Sequence, residues 1–236
     1  VPGSGPSDAG PATVAADHNL LLRIISAAIL APVALLMAYV GGLPFAIFWG
    51  VAAAAVLWEW ARLVEGPAWI AAGIVYAALM VIAPVVLRAD AALGFIAILF
   101  LFAVVWTTDI LGYFAGRAIG GPKLIPAVSP KKTWSGAIAG AAGAVAVAAV
   151  LGNWLGLDPV AAGGVALVLS IFSQGGDLLE SWVKRRFGAK DASHIIPGHG
   201  GAMDRLDGFW AAAVAGMAIG LCRGGIDAAA RGLLLW

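Results

Sequence analysis

A-A-L-G-F-I-A-I-L-F-L-F-A-V-V-W-T-T-D-I-L-G-Y-F-A-G-R-A-I, residues 91–119, carries only Asp109 and Arg117 as charges in an otherwise apolar run. A hydrocarbon core of about 30 Å needs roughly 20 such residues in a helix. The apolar residues run continuously rather than alternating with period two, which argues against a membrane β-barrel. The run is too long for one straight span. It predicts either a tilted helix or a break into two near Asp109. Working outward, comparable runs fall at 20–40, 44–63, 67–87, 134–152, 159–176 and 208–222. The chain is 62% hydrophobic and 11% charged, with a mean hydropathy of +0.96, which excludes an ordinary soluble domain. The expected fold class is all-α: a polytopic integral membrane helical bundle of about 7–9 transmembrane helices.

Residues 1–18, rich in Pro, Gly, Ser and Ala, read as a disordered N-terminal tail. The first apolar run is long and leads straight into another span, so it reads as retained rather than as a cleaved signal peptide. Residues 19–236 show no long repeat and no shift in composition, and form a single transmembrane domain. Cys222 stands alone, which excludes an intrachain disulfide and a Cys-based zinc site. A net charge of +1 gives no reason to expect nucleic acid. No phosphate loop, H-E-x-x-H or G-x-S-x-G motif occurs. Small-xxx-small pairs (Gly112/Gly116, Gly136/Gly140, Gly216/Gly220) permit close helix packing, within one chain or across a homodimer. Trp69, Trp106, Trp134 and Trp154 lie near span ends and read as interfacial anchors.

Against this oily background the charges gather in two segments, 108–136 and 177–207. The denser reads S-W-V-K-R-R-F-G-A-K-D-A-S-H-I-I-P-G-H-G-G-A-M-D-R-L-D, Ser181 to Asp207. Just before it, Asp177, Ser181 and Lys184 recur at i, i+4 and i+7, with Glu180 beside them. They form one polar stripe on an apolar helix. Such a stripe suits a metal ion and a phosphate, or merely a face toward interfacial water. Asp204 and Asp207, three apart, share a helical face. Carboxylates from two segments suit Mg²⁺, which also takes water and substrate phosphates. Asp207 reads alternatively as a partner for Lys or Arg. The turn containing Gly198, His199, Gly200 and Gly201 lets backbone N–H groups approach a phosphate. In S-P-K-K-T-W-S-G, Lys131 and Lys132 are anion-binding candidates, and Ser129, Thr133 and Ser135 are candidate caps of the following helix. The same lysines also read as a positive-inside anchor. Asp109 is a site candidate because an intramembrane charge needs a reason to be there. If Arg23 is cytoplasmic, only Arg88, Arg223 and Arg231 fall on the other side, and both charged segments face the cytoplasm.

The segment Ser181–Asp207 resembles the signature of the phosphatidate cytidylyltransferase (CDP-diacylglycerol synthase) family. Ser181, Lys184, Arg185, Lys190, Asp191, Pro197, Gly198, His199, Gly200, Gly201, Asp204, Arg205 and Asp207 match in place. Ala202 departs, where the family has a larger aliphatic residue. T-D-I-L-G-Y (108–113) and S-P-K-K-T-W-S-G (129–136) resemble the same family. The resemblance implies a membrane enzyme that uses CTP and phosphatidate, Mg²⁺ with or without a second cation, and Asp177 and Asp204 as metal ligands. It implies a catalytic group of Asp177, Lys184, Arg185, Asp204 and Asp207. The substrate contacts expected are Asp109, Ser129, Lys131, Lys132, Thr133, Ser135, Ser181, Lys190, Asp191, Gly198, His199, Gly200, Gly201 and Arg205. The expected location is a bacterial inner membrane, with the site facing the cytoplasm. A CTP-dependent lipid kinase and a transporter are the alternatives. A transporter does not explain why both charged motifs gather on one face.

Overall fold

The computed structural model describes residues 26, 28–193, 195 and 200–236. The expected tail of 1–18, Arg23, Gly198 and His199 lie outside them. A shorter apolar helix, α1 (Ala28–Val40), is followed by six helices long and apolar enough to cross a bilayer: α2 (Gly42–Leu63), α3 (Pro67–Ala89), α4 (Gly94–Ile119), α5 (Trp134–Trp154), α6 (Pro159–Arg186) and α7 (Met203–Gly224). A short α8 (Ala229–Leu234) closes the chain. The protein is an integral membrane helical bundle. One element was not foreseen: an antiparallel hairpin of β1 (Lys123–Ile125) and β2 (Ser129–Thr133), which carries the S-P-K-K-T motif between α4 and α5.

The run at 91–119 does not break at Asp109. It is one helix of 26 residues, about 39 Å at 1.5 Å per residue. Neither Pro nor Gly lies between Phe95 and Ile110 to interrupt the ladder. Its end is set by Gly120, whose φ of 67° is open to glycine. The stops of the other helices are equally local. Pro159 opens α6, and the Asp158 carboxylate accepts from Val160 N (2.8 Å) and Ala161 N (3.0 Å). Arg88 donates to the last carbonyls of α1, Ala38 (2.6 Å) and Tyr39 (2.9 Å), a favourable place for a cation.

The small-xxx-small pairs are used within the chain. A Cβ at Gly140 would approach the Thr108 carbonyl oxygen to 2.6 Å, and one at Gly136 the Gly112 oxygen to 2.5 Å. α4 and α5 therefore pack backbone to backbone. Helix α7 is the hub, packed against α2, α3, α4, α6 and α8. Its aromatic residues stack on neighbours: Phe209 on Trp49, and Trp210 on Tyr76 with ring centroids 4.0 Å apart. Trp134 and Trp154 are exposed, as anchors should be, whereas Trp49 and Trp60 are core residues.

At the end of the bundle holding the α3–α4 turn, Asp90 fastens α8. Its carboxylate accepts from Ala92 N (2.9 Å), Leu93 N (3.2 Å), and Arg231 N (3.2 Å) and Nε (3.0 Å). Burial alone would raise this carboxyl. The hydrogen bonds from Leu93, the Arg231 guanidinium, Ala92 and the Arg231 amide outweigh it and hold the group below its ordinary value. A depressed folded pKa contributes stability above the unfolded value of about 3.9, lost as pH falls through the folded one. The melting-temperature gap between wild type and Asp90→Asn in detergent is therefore expected to be constant from pH 5 to 8. It should shrink below about pH 4. A gap that widened in acid would contradict the assignment.

Candidate active site

The ends of α4 and α6, the beginnings of α5 and α7, and the hairpin all meet at one end of the bundle. There the polar stripe of α6 divides. Asp177 faces the hairpin and forms an ion pair with Lys132 of β2. Ser181, one turn on, is 3.5 Å from Asp177 Oδ1. Glu180 and Lys184 turn toward α7: Lys184 Nζ lies 2.7 Å from Glu180 Oε2 and 2.5 Å from Asp204 Oδ1. An ammonium shared by two mostly buried carboxylates keeps the local charge down where water is scarce.

Asp204 uses both oxygens. Oδ2 accepts from Gly201 N (2.9 Å) and Ala192 N (3.3 Å), so the carboxylate staples the two ends of the glycine-rich segment. Asp207 is buried, and its Oδ1 accepts from Gly208 N (2.7 Å). It feels the charges of Asp177, Asp109 and Lys132, and Asp109 in turn feels Asp177, Lys132 and Arg205. Asp109 on α4, Asp177 on α6 and Asp207 on α7 are thus near enough to feel one another's charge, with Lys132 and Arg205 offsetting part of it. Among the described residues, no group of three or more His, Cys, Asp or Glu is arranged to hold a metal by protein ligands alone. Mg²⁺ does not require one, since one or two carboxylates plus substrate phosphates suffice.

The hairpin motif resolves into separate tasks. Thr133 is the cap of α5, accepting from Gly136 N (3.2 Å). Ser135 instead donates to the Gly120 carbonyl and lies 3.0 Å from Thr133 Oγ1. Ser129 is a strand residue opposite Ile125. Lys131, Arg185, Lys190, Asp191 and Arg205 are exposed, and Arg185 donates to the Ala189 carbonyl (2.9 Å). Gly200 has φ 87°.

At this end of the bundle, Glu59 escaped the sequence reading. Glu59, near the end of α2, is fully buried. It accepts from Ser193 Oγ (2.5 Å), Ala202 N (2.8 Å) and Met203 N (2.7 Å). The last two amides open α7, so Glu59 caps that helix from another part of the chain, where its dipole favours an anion. A Cβ on Gly201 would sit 2.9 Å from both Glu59 oxygens and from Asp204 Oδ2. Only glycine fits between the two carboxyl groups. The signal was available: Trp58-Glu59-Trp60 places a charge inside an apolar run, the argument that singled out Asp109.

Residues 68–222 match the model of the cytidylyltransferase family. The phosphatidate cytidylyltransferase of Brucella abortus biovar 1 (strain 9-941) is 42% identical over 250 residues, covering 83% of this chain and 91% of that protein. The chain belongs to the cytidylyltransferase family. The resemblance carried by Ser181–Asp207 is borne out. Proteins of the same name from Staphylococcus haemolyticus (strain JCSC1435) and Rickettsia felis (strain ATCC VR-1525 / URRWXCal2) align over shorter stretches. The first is 46% identical over 120 residues, 48% of this chain and 44% of its own length. The second is 39% identical over 118 residues, 47% of this chain and 52% of its own. Within this cytidylyltransferase, the family match takes in α3 to α7 almost entirely and leaves Glu59 outside.

Proposed function

We propose that this chain is a phosphatidate cytidylyltransferase, which transfers CMP from CTP to phosphatidate and gives CDP-diacylglycerol and pyrophosphate. The observation that carries the reading is the pair of ammonium–carboxylate contacts along α6, Lys132–Asp177 and Lys184–Asp204, at the charged end of an apolar bundle. A phosphate-headed lipid keeps its chains in the hydrocarbon and its head at that level, where a nucleotide arrives from water. The excess of Lys and Arg at this end supports a cytoplasmic orientation in a bacterial inner membrane, with α1 as a seventh span.

The reaction is an in-line displacement. A phosphatidate oxygen attacks the α-phosphorus of CTP, the bond to the β-phosphate bridging oxygen breaks, and pyrophosphate takes that electron pair. The attacking phosphate is already largely ionised at pH 7, its second pKa being about 6, so no general base is needed. The protein's task is positioning and charge neutralisation. Lys132 and Lys184 exchange carboxylate partners for phosphate oxygens, with Lys131, Arg185 and Lys190 adding positive charge at the rim. The mutual repulsion of Asp109, Asp177 and Asp207 fits a divalent cation. Asp177, already partly exposed beside Lys132, and Asp204, on giving up Lys184, are the residues that would hold Mg²⁺. The ion would offset charge on the phosphate oxygens and leaving group.

The test is product analysis with purified protein, CTP, Mg²⁺ and phosphatidate in detergent micelles. Pyrophosphate release that needs both substrates and stops with EDTA is the expected result. Release of CDP in place of pyrophosphate would make the protein a CTP-dependent lipid kinase. No turnover in folded, lipid-supplied protein would overturn the enzyme reading.

A further inference from the structure

Lys184 stands between two carboxyl groups that are held very differently. Asp204 Oδ2 is committed to the amides of Gly201 and Ala192. Oδ1 is the oxygen it has left, and Lys184 Nζ takes it at 2.5 Å. Glu180 lies one turn before Lys184 on α6 and reaches the same ammonium with Oε2 at 2.7 Å. Its side chain is 2% exposed, against 13% for Asp204, so Asp204 is the one of the two that water and ions can approach. Glu180 Oε1 is buried with no hydrogen-bond partner among the described residues. The two contacts also differ in what they join. Glu180 and Lys184 belong to one helix at i and i+4, so their pairing does not depend on α7. The Lys184–Asp204 contact bridges α6 and α7 and is the one that can be exchanged.

We propose that Glu180 is a positioning residue: it retains Lys184 on α6 and so frees Asp204 Oδ1 for Mg²⁺. The inference rests on the reading above, in which Asp204 gives up Lys184 on holding the ion. An ammonium and a divalent cation repel one another and compete for that oxygen. Without Glu180, entry of the ion would leave the ammonium unpaired in a mostly buried place, and an unpaired buried charge is the costly state. With Glu180, Lys184 keeps a charge-assisted hydrogen bond throughout the exchange. An ammonium has three donors, so the others stay available to a phosphate oxygen. Glu180 touches neither ion nor substrate in this arrangement and acts through Lys184.

The test reads the ion directly. Mn²⁺, a spectroscopic substitute for Mg²⁺, is titrated into the purified chain in detergent without substrates, and the free ion is followed by EPR. The Mg²⁺ concentration that gives half-maximal pyrophosphate release is measured alongside. Glu180→Gln keeps the size and removes the charge. It is expected to raise both the Mn²⁺ Kd and the Mg²⁺ requirement about tenfold or more, the scale on which losing a residue that orients a metal ligand acts. Glu180→Asp keeps the charge but is one methylene shorter, and should lie between wild type and Gln. Removing the competitor as well, in Glu180→Gln/Lys184→Met, should return the Mn²⁺ Kd to the wild-type value or below it. A merely structural role for Glu180 would show no such rescue, and a double variant as weak as Glu180→Gln would overturn the proposal. So would a Glu180→Gln that bound Mn²⁺ like wild type, or a Glu180→Asp equal to wild type beside a weak Gln, which would reduce Glu180 to a distant charge. A wild type that bound no Mn²⁺ would remove the ion from Asp204 and the proposal with it. Failure of the phosphatidate reading looks different: wild type would then release no pyrophosphate from CTP and phosphatidate, whatever its affinity for Mn²⁺.

Discussion

Asp177→Asn is expected to lower kcat by at least about 10²–10³-fold, the scale on which removing one preorganised group acts, while the protein melts at the wild-type temperature. The two halves of this result have separate causes. Among the described residues Asp177 pairs with Lys132 and, loosely, with Ser181, and its side chain is 37% exposed, so little of the fold depends on it. Its charge, however, is central to the cluster of Asp109, Asp177 and Asp207. Asp204→Asn should differ. It loses activity on the same scale and also melts lower, because Asp204 holds Lys184 and the amides of Ala192 and Gly201. The measurement is kcat together with thermal unfolding in detergent for both variants. Normal turnover in both would remove the carboxylates from the chemistry. A matching drop in melting temperature would make Asp177 a structural residue.

The second large effect falls on a residue that touches no substrate. Glu59→Ala leaves Ser193, Ala202 and Met203 without their acceptor in a fully buried place. Hydrogen bonds to a charged group contribute about 1.5–3 kcal/mol each, so a loss of about 3 kcal/mol or more is expected. Activity should fall with it, because the freed segment carries Gly201 and Asp204. Glu59→Gln keeps one acceptor but turns an NH₂ toward backbone donors, and should lie between wild type and Ala in both readouts. If Glu59→Ala melted and turned over like wild type, the capping role assigned to Glu59 would be wrong.

Much of the fold was legible because membrane helices announce themselves. The runs at 44–63, 67–87 and 134–152 agree with α2, α3 and α5 to within about two residues, since apolar length is the constraint. The ends of α6 and α7 were less legible. α6 continues to Arg186 and α7 starts at Met203, so the charged motif is itself helical on both sides of the glycine-rich segment. Hydropathy sees charge and stops, whereas the helix continues because Glu180, Lys184 and Asp204 neutralise one another. Within the site, periodicity placed Asp177, Glu180 and Lys184 on one helix. It could not reveal that Lys184 would choose Glu180 and Asp204 while Asp177 chose Lys132. That choice belongs to tertiary packing, as does the meeting of Glu59 with an amide 143 positions away.

That separation also bears on how the protein is made. At about 5–20 residues per second, the ribosome needs roughly 7–30 seconds to go from Glu59 to Ala202. Through that interval α2 is threaded into the bilayer with an acid near its end and no amide to receive it. Insertion of a charged side chain through the translocon costs about 2.5–3.5 kcal/mol at the helix centre and less toward the water interface. The acid's place four residues from the end of α2 lets it wait hydrated at the headgroups. The arrival of α7 then draws it inward. Helix α7 is thus the one that locks α2 in place, and a nascent chain stalled before residue 202 would remain an open, unlatched bundle.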